Sequence, residues 1–96
     1  MVKVGKVYIQ TVTKESDWKL FGNQGPYVAY FYITSKGIND RGLTTVTYNW
    51  VHIRGGKKII RANRHSERLA INFEDMQEME LEDVPLSLLL KIKYLC

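Results

Sequence analysis

The chain has 96 residues, enough for one modest hydrophobic core and too few for two. Its composition is that of an ordinary folded domain, and its longest apolar stretch, near Leu86 to Leu90, falls well short of the ~20 residues of a membrane-spanning helix. Residues 1–64 hold eleven Lys/Arg against three acids and residues 65–96 hold three against seven, so the formal +4 splits into a basic stretch and an acidic one. Such asymmetry points either to a polyanionic partner or to two complementary halves of one fold.

Val2 to Thr13 mixes β-branched residues with Lys, Gln and Thr and reads as a strand with a bulge at Gly5. The following KESDWKLFGNQGP is turn-rich and reads as a loop, although Trp18, Leu20 and Phe21 are apolar enough to tuck onto a core or form a binding lip. Tyr27 to Ser35 is the clearest strand. Tyr27, Ala29, Phe31 and Ile33 point one way, and Val28, Tyr30, Tyr32 and Thr34 the other. Both sets are bulky, so this strand is expected to be central and covered on each side. KGINDRG, with Gly37, Asn39-Asp40 and Gly42, is a turn.

Leu43 to Arg54 and Lys57 to Asn63 read as a β-hairpin about Gly55-Gly56, a pair suited to the positive φ angles of a tight turn. With those two residues as the loop, Arg54 faces Lys57, Ile53 faces Lys58, His52 faces Ile59, Val51 faces Ile60 and Trp50 faces Arg61. One face then carries Val51, Ile53, Ile60 and Ala62, an expected core. The other carries Tyr48, Trp50, His52, Arg54, Lys57, Ile59 and Arg61.

Beyond Arg64 two readings compete. Ser66 can cap a helix with Leu69, Phe73, Met76 and Glu80 on one stripe, or Leu69, Ile71 and Phe73 can alternate as a strand, as can Met79 and Leu81. The alternation favours strand for 68–74. Asp83 before Val84-Pro85 resembles a helix start, yet Leu88, Leu90, Ile92 and Tyr94 alternate as in a strand. The expected fold is mainly β: a small antiparallel barrel or sandwich of five to six strands, of the OB or SH3-like kind, with one or two short helices in the C-terminal third. The alternative is α+β.

Cations that neutralise phosphates, interleaved with rings on which bases stack, are what a nucleic-acid surface needs. The leading reading is a non-enzymatic nucleic-acid-binding protein, for single-stranded DNA or RNA, since flat aromatic surfaces suit unstacked bases. Tyr48 and Trp50 are the expected platforms, extended by Tyr30 and Tyr32. Arg54, Lys57 and Arg61 would hold the backbone, with Lys58, Arg64 and Arg41 at the rim. The competing structural account makes Tyr48 and Trp50 core residues, with Arg61 in a cross-strand cation–π pair and the lysines keeping an edge soluble.

The acidic run Phe73 to Asp83 supports a second function, a protein-interaction module or small viral or host inhibitor docking on a basic partner. It lacks the ligand spacing of a calcium loop. A third reading is a metal-independent nuclease using His52 and His65, whose basic surroundings would favour neutral imidazole. The Leu-rich segment Leu86 to Leu95 is expected to pack in the core or to form a homodimer. No Walker loop, HExxH, nucleophile elbow or paired-cysteine pattern is present, so neither cofactor nor metal is expected. One cysteine, Cys96, precludes an internal disulfide and no secretory leader follows Lys3 and Lys6. The chain is therefore expected in the cytoplasm, or inside a host cell if viral.

Overall fold

Five strands form one antiparallel sheet in the computed structural model, which describes residues 2–20, 25–54, 58–85 and Ile92, with backbone alone for Lys58, Ile60 and Arg61. They are β1 (Val7–Val12), β2 (Tyr27–Ile38), β3 (Thr44–Arg54), β4 (Lys58–Leu69) and β5 (Gln77–Met79), in the spatial order β4-β3-β2-β1-β5. The first four make an antiparallel meander. The chain then crosses from the β4 edge to the β1 edge, where β5 pairs antiparallel with β1. Among the described strands β4 and β5 each have one neighbour, so the sheet is open rather than closed into a barrel.

Side-chain alternation builds a core on each face of this sheet. One contains Tyr8, Val12, Tyr27, Ala29, Phe31, Ile33, Val46 and Tyr48, capped by Ala70 and Phe73. The other contains Val7, Val51 and Ile53, covered by Val84 and Ile92, with Ile9, Tyr30, Tyr32 and Leu81 packed against it. The central strand β2 is thus covered on both sides, as its bulky sequence requires.

The bulge expected at Gly5 is present: with φ +84°, Gly5 donates its N–H to the Ile33 carbonyl at 2.9 Å while the Ile33 N–H donates to the Lys6 carbonyl at 3.1 Å, so two residues oppose one and the regular strand β1 begins only at Val7. Other local expectations are corrected. The turn-rich segment contains a short helix, α1 (Glu15–Leu20). Its acids lie in the first turn and its lysine in the last, and Glu15 pairs with Lys19. Six residues are too few to show a helical period. Trp18 packs against the core from this helix.

The hairpin keeps its two faces but not its predicted pairing. Arg54 pairs with Lys58 and Ile53 with Ile59. His52 then pairs with Arg61, Val51 with Ala62 and Trp50 with Asn63, which leaves Ile60 as a bulged residue. A second irregularity follows, because Tyr48 pairs with Ser66 and Asn49 spans Arg64 and His65, the latter at φ +57°. Val51 and Ile53 are buried as expected, whereas Ala62 is exposed and the Ile60 side chain lies outside the described set.

In the C-terminal third neither long reading holds. The strand ends at Leu69, and Ala70–Phe73 forms a 3₁₀ turn that drops Phe73 onto the sheet. Met79 is in β5, but Leu81–Asp83 is another 3₁₀ turn. The Leu86–Leu95 segment lies outside the described residues except for Ile92, which is fully buried in helical backbone and not in a strand.

Candidate nucleic-acid interface

Residues two apart on one strand share a face, so Tyr48, Trp50 and His52 stand together beside Tyr27 and Phe31 of the neighbouring strand. They split into two clusters with different exposure. In the first, the His52 imidazole lies between two rings. Tyr27 stacks on it at 4.3 Å with the planes 27° apart, and Trp50 packs at 4.5 Å and 36°. The Trp50 indole donates from Nε1 to Ser66 Oγ at 2.9 Å, fixing its orientation. His52 is buried, but Trp50 is only half-buried. Register places Arg61 opposite His52 and the exposed Asn63 opposite Trp50, with exposed Arg64 next along β4.

The second cluster is closed. Phe31, Tyr48 and Phe73 meet edge to face, with centroids 5.2 to 5.5 Å apart. The Arg68 guanidinium lies over all three rings at 5.5, 5.6 and 5.8 Å. Burial pushes the Tyr48 phenol above its ordinary pKa, with Arg68 pulling the other way. Tyr48 is therefore a core residue and not a stacking platform, because the 3₁₀ turn carrying Phe73 covers it. Arg68 was missed as part of this face. Its signal was available only through the true register, which pairs it with Val46, two residues from Tyr48.

The remaining expected site residues disperse. Tyr30 and Tyr32 are half-buried on the opposite face, packed with the Val7 and Val51 cluster, and cannot extend a platform at Trp50. Arg54 turns to the end of the sheet and donates to the Pro26 and Gly25 carbonyls, both at 3.4 Å. Arg41 is exposed in the turn between β2 and β3, where Asn39 Oδ1 accepts from its backbone N–H at 2.9 Å. Lys57 lies outside the described residues, and Lys58 and Arg61 are placed on β4 by their backbone. What the fold gathers is a strip at the outer edge of the hairpin: Trp50, Asn63 and Arg64, with Lys58 and Arg61 along the same strand.

The two histidines do not converge. His52 is stacked within one face, while exposed His65 sits opposite Asn49, three residues away along β3 or ~10 Å at strand rise. No group of three or more potential metal ligands occurs among the described residues. An open pocket of about 240 Å³ at the end of the sheet, lined by Thr11, Thr13, Tyr30, Ile53 and Arg54 among others, is smaller than the ~300–1,000 Å³ usual for small-molecule sites. Among the described residues, no helix is long and apolar enough to cross a membrane. Comparisons with protein-family models, curated proteins and solved structures return no match to this chain.

Proposed function

We propose that the chain is a non-enzymatic protein that binds a single-stranded nucleic acid along the outer edge of the β3–β4 hairpin. One base stacks on the open part of Trp50, and Lys58, Arg61 and Arg64 neutralise the adjoining phosphates. The observation that carries this reading is the Trp50 ring. It is half-exposed, held in place by Ser66 and His52, and bordered by a strand with cations at three positions. A ring already ordered in the free protein loses little entropy on binding. A single strand fits better than a duplex because the strip offers one platform at a sheet edge and no helix to enter a groove.

Fluorescence anisotropy of a labelled oligothymidylate or oligouridylate tests the proposal. Binding is expected at low salt and weakens steeply as salt rises. Arg61→Ala and Arg64→Ala each reduce the salt slope by about 1. Trp50→Ala costs the stacking of one base, about 1–3 kcal/mol or roughly 5- to 150-fold in Kd. Absence of binding at low salt, or binding indifferent to all three substitutions, overturns the reading. A protein-interaction role for the acidic segment is favoured by a separate observation: its six carboxylates, from Glu74 to Asp83, are all exposed along the β5 edge.

A further inference from the structure

The open sheet ends in two strands of opposite charge. At one edge, β5 and its flanks present Glu74, Asp75, Glu78, Glu80, Glu82 and Asp83, all exposed. One cation, Lys6, pairs with Glu80. That contact raises the lysine pKa, with Glu78 and Glu82 adding to the same effect. At the other edge β4 places Lys58, Arg61 and Arg64 against the single acid Glu67, while Arg68 is turned onto the aromatic cluster. Among the described residues each of these strands pairs on one side only. An edge strand with an unpaired side presents a row of free N–H and C=O groups.

We propose that the β5 edge of one molecule adds to the β4 edge of a second copy of this chain, continuing the sheet head to tail. Charge decides which edges can meet. Two β4 edges repel, two β5 edges repel, and only the unlike pair attracts, so the pattern selects one mode and blocks the others. Strand direction agrees. Every neighbouring pair in β4-β3-β2-β1-β5 is antiparallel, so the two outer strands run the same way, and a translated copy meets the first through a parallel β5–β4 contact. Such a contact joins different surfaces on the two partners. It cannot close as a two-fold dimer and instead propagates, or forms a ring if the twist permits. Three residues of β5 make a small contact, so association is weak and salt-dependent.

Sedimentation velocity on the full chain, freed of nucleic acid, tests the idea. At low salt the weight-average mass is expected to rise with concentration, and at high salt to return to that of the monomer. The double variant Glu78→Lys/Glu82→Lys cancels most of the negative charge at the β5 edge, and Arg61→Glu/Arg64→Glu makes both edges acidic. Each is expected to be monomeric alone, and an equimolar mixture to associate again, which also shows that both are folded. A wild-type chain that stays monomeric at low salt, association that survives either double variant, or a mixture that fails to associate overturns the proposal. The β5 variant leaves the Trp50 strip intact, so oligonucleotide binding by that variant reports on the nucleic-acid reading separately.

Discussion

Asn49 is a buried polar residue that an apolar strand pattern does not explain, and its substitution tests how Ile92 is held to the sheet. The side chain is 5% exposed on the face covered by Val84 and Ile92. Its Nδ2 donates to the Ile92 carbonyl at 2.8 Å and its Oδ1 accepts the His65 backbone N–H at 3.1 Å. Asn49→Ala strands both. Ile92 is fully buried, so its carbonyl bears the desolvation penalty of an unpaired group, about 1–3 kcal/mol. His65 is exposed, so water can replace its partner and the loss is nearer the net worth of one hydrogen bond, about 0.5–1.5 kcal/mol. The expected total is about 1.5–4.5 kcal/mol, read from the urea midpoint at unchanged slope. Asn49→Asp separates the two bonds, because it keeps the acceptor for His65 and turns a carboxylate toward the Ile92 carbonyl. Burial should raise that carboxyl's pKa, so the folded state holds its proton longer than the unfolded chain. The variant is then least stable relative to wild type at neutral pH, and recovers as pH falls toward the unfolded value of about 3.9. Amide exchange at His65 should accelerate in Asn49→Ala but not in Asn49→Asp at low pH. Two results refute the reasoning: an Asn49→Ala cost under about 0.5 kcal/mol, or His65 exchange that does not distinguish the variants.

Phe73→Ala removes the ring that seals Phe31, Tyr48 and Tyr8, and should cost about 3–5 kcal/mol in chemical denaturation. A cost under about 1 kcal/mol would mean that the 70–73 turn does not cover that face. Burial raises the phenol pKa of Tyr8 and of Tyr48, so the folded chain keeps protons that the unfolded chain releases. Their contribution to stability is full below about pH 10 and is lost as pH rises through the folded values. Alkaline melts of wild type should therefore steepen above that pH, and Tyr8→Phe with Tyr48→Phe should flatten the profile; an unaltered profile counts against both burial shifts. Gly5 and Gly42 have φ of +84° and +78° with no atom within 4 Å of where a Cβ would lie. Alanine at either should cost only backbone strain, about 1–2 kcal/mol by thermal melt, and a much larger loss would mean that packing also matters there.

Alternation was enough to read the central sheet. It placed Tyr27, Ala29, Phe31 and Ile33 on one face of β2, and it separated Val51 and Ile53 from Trp50 and His52 on β3. The register across the hairpin was not legible, because a tight Gly-Gly turn predicts uninterrupted pairing and nothing in KIIRANRHSERL announces two bulges. That miss reached the site. The true register moves Arg61 from Trp50 to His52, puts Asn63 opposite the indole, and brings Arg68 to the rings. Alternation leaves Tyr48 open between platform and core for another reason. Its burial depends on Phe73, 25 residues further on, arriving through a 3₁₀ turn too short to carry a period.

Two-sided burial has a consequence for where this chain can bind anything. A half-wet antiparallel sheet offers its polar face as a platform, and reading the hairpin as apolar on one side and aromatic on the other assumes such a face. Here the aromatic side is itself core, closed by Phe73 at one cluster and by the Tyr27–His52 stack at the other. Part of the charge that could not enter either core stands at the outermost strands, with Lys58, Arg61 and Arg64 on β4 and six acids around β5. Trp50 is half-open because Phe73 of the covering turn packs on Tyr48, two residues away on the same strand. On the proposed function, recognition by this molecule is an edge property. A polyanion and the acidic edge of another copy would compete for the same strand, so oligonucleotide should dissolve the head-to-tail assembly at low salt as added salt does.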